Sequence, residues 1–277
     1  MDLLQSLILG VIQGLTEFLP VSSSGHLVVF QKWLGVEQHS LAFDVAAHLG
    51  TLMAVITVYR KSLVAVLRES ASYLKTRKLT PAVWLFVVTF VGSLPTAFIG
   101  LAFKEQFESL FSNLTAVSIF LCITGVVLFF SDRYQVESEH SARVDLNDLK
   151  DTKMISLTKA LLIGVAQGLA IAPGVSRSGS TIAVALFLGV KRQAAAQFSF
   201  ALSVPAVLGA ALLQLKDISE FSNEVLLSLG VGFVVSYMAG LAGLLGLLFL
   251  VQKGRLRYFS FYLWIFGGAV FLSTLFR

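Results

Sequence analysis

The sequence predicts an all-α polytopic membrane protein, with six transmembrane helices and two re-entrant helical hairpins in an inverted-topology repeat. Three observations lead to this fold class. The 277 residues are 56% hydrophobic and 13% charged, with a mean hydropathy of +0.82, whereas a soluble domain is about 25% charged. Six apolar stretches are long enough to cross a bilayer. Two further apolar stretches are interrupted in the middle, and they resemble each other.

The six continuous stretches lie near 42–59, 82–103, 113–131, 193–214, 225–250 and 258–276. Each contains enough apolar residues to cross a hydrocarbon core of about 30 Å. We therefore expect one membrane domain covering residues 1–277, with the bilayer as its principal environment.

The two interrupted stretches are 3–34 and 157–190, broken at 19–25 and 172–179 by proline, glycine and serine. Each half is too short to span the bilayer. Irregular backbone at membrane depth is tolerated only where protein buries it or where it lines a wet cavity. We therefore interpret both stretches as re-entrant hairpins.

The two hairpins are copies related by a constant offset of 154 residues. Gly10, Gln13, Gly14, Ser22, Ser24 and Gly25 correspond to Gly164, Gln167, Gly168, Ser176, Ser178 and Gly179. Repeats built from broken helices commonly form a site near the membrane midplane where they meet. The sequence thus predicts a first repeat at 1–131, a cytoplasmic connector at 132–156 and a second repeat at 157–277.

The distribution of lysine and arginine predicts the orientation. With both termini outside, the loops after the first, third and fifth spans and the flanks of the second hairpin are cytoplasmic and hold most of the 21 basic residues. The positive-inside rule favours this arrangement. It also accounts for the net charge of +5 without a nucleic-acid partner.

Three ionisable residues stand at the hairpin tips, where burial in a membrane would be costly unless they have a function. Glu17 ends the first half of hairpin one, His26 follows its tip, and Arg177 occupies the tip of hairpin two. Gln13 lies four residues before Glu17 and shares its helix face, so we expect it to bind the same ligand as Glu17. Asp44 and His48 are weaker candidates, which we interpret as interfacial.

Both tips begin a helix with serine and glycine, a pattern that caps the helix and directs free amides toward an anion. The candidate anion-binding residues are Ser22, Ser24, Gly25, Ser176, Ser178, Gly179 and Thr181. Where the copies differ, one tip has Glu17, Ser23 and His26, and the other has Arg177. A carboxylate, a nucleophile, a proton carrier and a cation together suit phosphoryl transfer. The alternative is a transporter or flippase that moves a lipid phosphate through the same repeat.

The segments 13–26 and 173–181 resemble the two signatures of the bacterial undecaprenyl-diphosphate phosphatase family associated with bacitracin resistance. The resemblance covers essentially the whole chain. It implies hydrolysis of undecaprenyl diphosphate to undecaprenyl phosphate and phosphate, which recycles a carrier lipid for cell-wall polymers. It also implies a multi-pass protein of the bacterial cytoplasmic membrane with an outward-facing site. A homo-oligomer is compatible with the pattern.

The resemblance further implies a divalent metal, Mg²⁺ or Ca²⁺, and a functional core of Glu17, Ser23, His26 and Arg177. Gln13 departs from the family pattern, since many members carry a glutamate there. We therefore expect Glu17 to hold the metal together with oxygens of the substrate, and Arg177 to clamp the phosphates. Whether Ser23, His26 or water attacks the phosphorus is left open by the sequence.

Overall fold

A computed structural model describes residues 1–36, 41–134, 148–214, 222–253 and 256–276. Within these ranges the chain forms twelve α-helices and a short 3₁₀ helix, and no strand, which confirms the predicted all-α class. The helices are α1 Leu3–Phe18, α2 Ser23–Trp33, α3 Leu41–Val58, α4 Arg60–Thr76, α5 Pro81–Ala102, α6 Lys104–Leu110, α7 Leu114–Ser131, α8 Leu157–Leu169, α9 Arg177–Phe187, α10 Arg192–Gln214, α11 Asn223–Lys253 and α12 Arg257–Leu275. The 3₁₀ helix is Lys150–Met154.

Six of these helices, α3, α5, α7, α10, α11 and α12, are long and apolar enough to cross a membrane. They match the six predicted spans to within a few residues, so the protein is a multi-pass membrane protein. We expected loops after the first and second spans, but α4 and α6 show that both segments are helical.

Both interrupted stretches form a helix, a break and a second helix. In the first, α1 ends at Phe18 and α2 starts at Ser23; in the second, α8 ends at Leu169 and α9 starts at Arg177. Helix α1 has 16 residues and α8 has 13, which correspond to about 24 Å and 20 Å. Neither would cross the core alone. Insertion of the two hairpins from opposite faces stays a prediction.

The two halves of the chain are interlocked. Helix α1 packs along α11 of the second half, and α8 packs along α5 of the first half. The repeated glycines allow both contacts: a Cβ on Gly14 would meet the α11 backbone at Gly240, and one on Gly164 would meet the α5 backbone at Gly92. Small residues allow such close approach in membrane helices. Each hairpin is therefore supported by the opposite half.

The predicted connector 132–156 lies partly outside the described residues. At its start, the Asp132 carboxylate accepts hydrogen bonds from the Arg192 side chain (3.0 Å) and from the backbone amides of Leu256 and Arg257 at the beginning of α12. At its end lies the 3₁₀ helix, whose Asp151 pairs with Lys191 at 2.9 Å. These contacts tie α7 to α10 and α12. The assignment of this segment to the cytoplasm stays a prediction.

Candidate active site

The first tip turns at Pro20 and Ser22. Ser22 caps α2, because its hydroxyl accepts a hydrogen bond from the Gly25 amide at 3.2 Å. Its φ of 65° places it in the left-handed region, which is uncommon for a residue other than glycine. Strained backbone of this kind persists only where its surroundings hold it, and it tends to occur at functional sites.

The second tip repeats the cap with an ordinary backbone. The Ser176 hydroxyl accepts from the Gly179 amide at 3.0 Å, and here the positive φ of 98° falls on Gly174. Thr124 of α7 fixes this turn: its hydroxyl donates to the Gly174 carbonyl and accepts from the Ser176 amide. The cap predicted for both copies is confirmed.

The two tips touch. The Gly174 amide donates to the Ser22 hydroxyl at 3.1 Å, and the Ser178 hydroxyl donates to the Leu19 carbonyl at 3.3 Å. A Cβ on Gly25 would lie 2.9 Å from the Gly174 Cα, so glycine is required for this approach. The N-termini of α2 and α9 are thereby brought side by side.

Glu17 lies at the centre of this contact and is 6% exposed. One carboxylate oxygen accepts from the Arg177 guanidinium. The other accepts from the Ser23 hydroxyl at 2.5 Å and from the Gln13 amide at 2.9 Å. Four predicted site residues, drawn from both hairpins, thus form one cluster.

His26 belongs to a different set of contacts. Its Nδ1 donates to the Ser22 carbonyl at 2.8 Å, since a carbonyl can only accept. In the neutral ring Nε2 then accepts from the Tyr262 hydroxyl of α12, at 2.6 Å. The ring stacks on Phe266 at 4.4 Å. Both nitrogens are engaged, and neither bonds to Ser23.

His48 was interpreted as interfacial, but it lies against the cluster. Its Nδ1 donates to the Asp44 carbonyl at 2.7 Å, and its Nε2 is 3.4 Å from the Glu17 carboxylate. A protonated His48 would add a second cation beside Glu17. The available sequence signal was an ionisable residue inside an apolar stretch. Tyr262 gave no such signal, because tyrosine is common in membrane helices.

The predicted anion-binding residues divide into two groups. Six of them lie at the helix starts: Ser22, Ser24, Gly25, Ser176, Ser178 and Gly179. The hydroxyls of Ser22 and Ser24 are 3.3 Å apart, and those of Ser176 and Ser178 are 3.4 Å apart. Thr181 is fully buried; its hydroxyl donates to the Arg177 carbonyl and lies 2.7 Å from the Ser199 hydroxyl of α10. Thr181 therefore packs α9 onto α10 and does not face the cluster.

Two polar atoms of the cluster are buried without a hydrogen-bond partner among the described residues: Arg177 Nη1 and Gln13 Oε1. A shallow cleft lies beside the cluster, between α3 and α10. Glu17 and Arg177 line it together with apolar side chains that include Leu52, Val55 and Val207. A free guanidinium nitrogen next to an apolar wall suits an anionic group attached to a hydrocarbon chain.

The oxygen ligands present suit a divalent cation that the substrate helps to bind. No group of three or more histidine, cysteine, aspartate or glutamate side chains that could hold a metal exists in the described ranges. Glu17 offers a carboxylate, and the unpartnered Gln13 Oε1 offers a neutral oxygen. Mg²⁺ is commonly bound by one or two carboxylates plus substrate phosphates and water. The residues therefore fit Mg²⁺ or Ca²⁺ only with ligands from the substrate.

Known proteins resemble this chain over almost its whole length. The family model described as bacitracin resistance protein BacA matches residues 6–269. Three similar proteins are named undecaprenyl-diphosphatase. That of Carboxydothermus hydrogenoformans is 40% identical over 98% of this chain and 97% of its own; that of Desulforapulum autotrophicum is 42% identical over 96% of each; and that of Methanobrevibacter smithii is 40% identical over 99% of each. With a match that runs from the first hairpin into α12, the chain belongs to the bacitracin resistance protein BacA family.

Proposed function

We propose that the protein hydrolyses undecaprenyl diphosphate to undecaprenyl phosphate and inorganic phosphate. The observation that carries the proposal is the cluster of Glu17, Ser23 and Arg177 between two helix N-termini, beside an apolar cleft. Family membership and the names of the relatives support it.

Binding of the diphosphate rests on charge. The free Nη1 of Arg177 offers a donor to phosphate oxygens. The positive dipole ends of α2 and α9, which start at this point, also favour an anion here. Arg177 also pairs with Glu17 through its other terminal nitrogen, which fixes the guanidinium plane before substrate arrives. The polyprenyl chain extends among the spans, past the apolar side chains of α3 and α10 that line the cleft.

Ser23 is the favoured nucleophile, because its hydroxyl donates directly to Glu17 at 2.5 Å. Glu17 accepts the proton as Ser23 Oγ bonds to the terminal phosphorus. The bond from that phosphorus to the bridging oxygen breaks, and undecaprenyl phosphate leaves with the electron pair. Water then attacks the phosphoserine, and the bond from phosphorus to Ser23 Oγ breaks. The proton held by Glu17 returns to Oγ, and the water's oxygen and protons leave with inorganic phosphate.

His26 is less suited to attack or to activate Ser23, because its Nε2 faces Tyr262. We assign it to proton transfer later in the cycle. A divalent metal held by Glu17 and Gln13 Oε1, with substrate oxygens, would neutralise phosphate charge when bound.

We place the protein in the bacterial cytoplasmic membrane, with the site open to the extracytoplasmic side. The basic-residue distribution supports the orientation of the spans on which this placement depends. There the reaction regenerates the carrier lipid for cell-wall polymer synthesis. The broken-helix repeat was also compatible with a transporter of polyprenyl phosphate, but the family and its named relatives do not favour that alternative.

The test is phosphate release from undecaprenyl diphosphate by purified protein in detergent. We expect release by the parent, little by Ser23→Ala or Glu17→Gln at matched amounts of folded protein, and inhibition by chelator. Undiminished turnover in Ser23→Ala would transfer the nucleophile role to His26 or water. Turnover that persists in excess chelator would contradict the metal, and no release by the parent would contradict the function itself.

A further inference from the structure

Helix α4 has the length of a membrane span but not its composition. Its 17 residues follow α3 after a single residue, Tyr59, and would extend about 25 Å. Five of them are charged: Arg60, Lys61, Arg68, Glu69 and Lys75. The helix is therefore not among the six that could cross a membrane. It starts where one of those helices ends, which places it next to the bilayer.

One face of α4 packs on the protein. Ser62 is buried, and Val66 and Tyr73 are half-buried; these positions follow the spacing of a single helix face. The neighbouring helix is α5. This contact fixes which sides of α4 face outward.

An apolar stripe lies on the outward side. Val64, Leu67 and Leu74 are 62%, 65% and 74% exposed, and Ala71 continues the stripe between them. Among the described residues no side chain covers these positions. Contact with water would be unfavourable for so continuous an apolar row, whereas the acyl region of the adjoining bilayer would accommodate it.

A basic stripe runs beside the apolar one. Lys61, Arg68 and Lys75 are spaced by seven residues, so they lie on one face, and all three are exposed. Arg77 and Lys78 follow directly, and Glu69 is the one acidic residue of α4. Juxtaposed apolar and basic rows are typical of helices that lie in the interface of an anionic membrane.

We propose that α4 binds the anionic headgroups of the surrounding phospholipids, with the apolar stripe in the acyl boundary and the basic stripe at the phosphates. This inference is independent of the catalytic site. The partner is bulk anionic lipid, such as phosphatidylglycerol, attracted by charge and held by apolar contact.

The first experiment measures lipid selection. The parent is extracted from vesicles of equimolar phosphatidylglycerol and phosphatidylcholine, and the co-purified lipids are counted. We expect at least twofold enrichment of phosphatidylglycerol for the parent, and loss of that enrichment in Lys61→Gln/Arg68→Gln/Lys75→Gln. The control neutralises three exposed lysines elsewhere, Lys104, Lys150 and Lys153, and should retain the enrichment. Equal lipid ratios in all three proteins would overturn the proposal.

The second experiment keeps the charges, so it does not depend on folding of the triple variant. Nitroxide labels are placed at Leu67 in the apolar stripe and at Ser72 on the basic side, each as a single cysteine in a Cys122→Ala background. In phosphatidylglycerol vesicles the Leu67 label should be reached by oxygen and shielded from an aqueous nickel chelate, with the opposite result for Ser72. Access of the chelate to both labels would show that α4 does not lie in the interface.

Discussion

At the residue scale, the site depends on one buried carboxylate that several partners share. Glu17 is held by Arg177, Ser23 and Gln13, with His48 at 3.4 Å. A charge removed from water is costly unless it is paired and hydrogen-bonded. Loss of either charged partner would leave the other buried and uncompensated. Activity of variants at Glu17 or Arg177 must therefore be compared at equal amounts of folded protein.

Substitutions of Arg177 show whether the site needs only a positive charge or also the planar shape of the guanidinium. Arg177→Ala should be nearly inactive. Arg177→Lys should remain strongly impaired, because a lysine cannot keep one nitrogen on Glu17 and offer a second to phosphate in a fixed plane. Loss of this clamp should raise the barrier by about 3 kcal/mol, or lower the rate about a hundredfold. The measurement is phosphate release, with thermal unfolding as the control. Near-parental rates in both variants would make Arg177 a structural cation.

Substitution of Tyr262, whose hydroxyl bonds to His26, tests the role of His26. Tyr262→Phe keeps the ring that stacks beside His26 and removes the hydroxyl that donates to Nε2. We expect kcat to fall about three- to tenfold, the usual effect of one hydrogen bond, with little change in KM, because the phosphate contacts lie elsewhere. The matched control is Tyr258→Phe, one turn away on α12 and exposed, which should keep parental kcat.

The state of the His26 ring shows whether Tyr262 has only a structural role or acts on His26. The chain has four histidines, so their ¹⁵N resonances can be assigned by substitution. The parent His26 should carry its proton on Nδ1, with the Nε2 resonance shifted in Tyr262→Phe. An unchanged Nε2 resonance together with parental kcat would show that the hydroxyl has no influence on His26.

At the element scale, the glycines repeated at 10, 14, 164 and 168 position the hairpins. The offset of 154 predicted that the two stretches are equivalent, and their helix caps confirm it at Ser22 and Ser176. What the repeat did not predict is that each hairpin packs on the opposite half. Helix periodicity identifies an apolar or small-residue face but not its partner, since any other glycine-containing span could meet it.

Gly164 gives a direct test of the interlocked packing. A Cβ there would strike the backbone of Gly92, which cannot move aside as a side chain can. Gly164→Ala should therefore separate α8 from α5 and lower the thermal unfolding temperature by several degrees. Gly209→Ala is the control, because Gly209 is also inside a helix but, beyond its own helix backbone, none of the described residues comes within 4 Å of an added Cβ there. An equal unfolding temperature for the two variants would contradict close packing at Gly164.

Because sequence periodicity does not identify the packing partner of a helix, only some of the site residues could be predicted. Gln13, Glu17, Ser23 and Arg177 lie in the repeated or interrupted segments, where broken helices and ionisable residues mark a site. Tyr262 and His48 lie on uninterrupted helices and are recruited by tertiary packing alone. The partner of His26 was unpredictable for this reason: Ser23 is its near neighbour on α2, but its Nε2 bonds across 236 residues of sequence.

At the scale of the whole molecule, the orientation in the bilayer follows from the distribution of lysine and arginine. The lengths and composition of the six spanning helices fit either orientation, so the positive-inside rule carries the assignment. It places the basic segment that contains α4 in the cytoplasm and the loop between α5 and α7 outside. Orientation also decides whether the cleft receives substrate from the extracytoplasmic side.

Cysteines on these two segments test the orientation. Ser72 on α4 and Ser112 before α7 are both exposed, and each is replaced in a Cys122→Ala background. In intact cells a membrane-impermeant thiol reagent should label Ser112→Cys and not Ser72→Cys, because the lysines and arginines near α4 are retained in the cytoplasm. Permeabilised cells provide the control, since there both positions should react. Labelling of Ser72→Cys alone in intact cells would show that the molecule has the opposite orientation, with the cleft facing the cytoplasm. Labelling of both would contradict the odd number of crossings between them, and with it the inverted repeat.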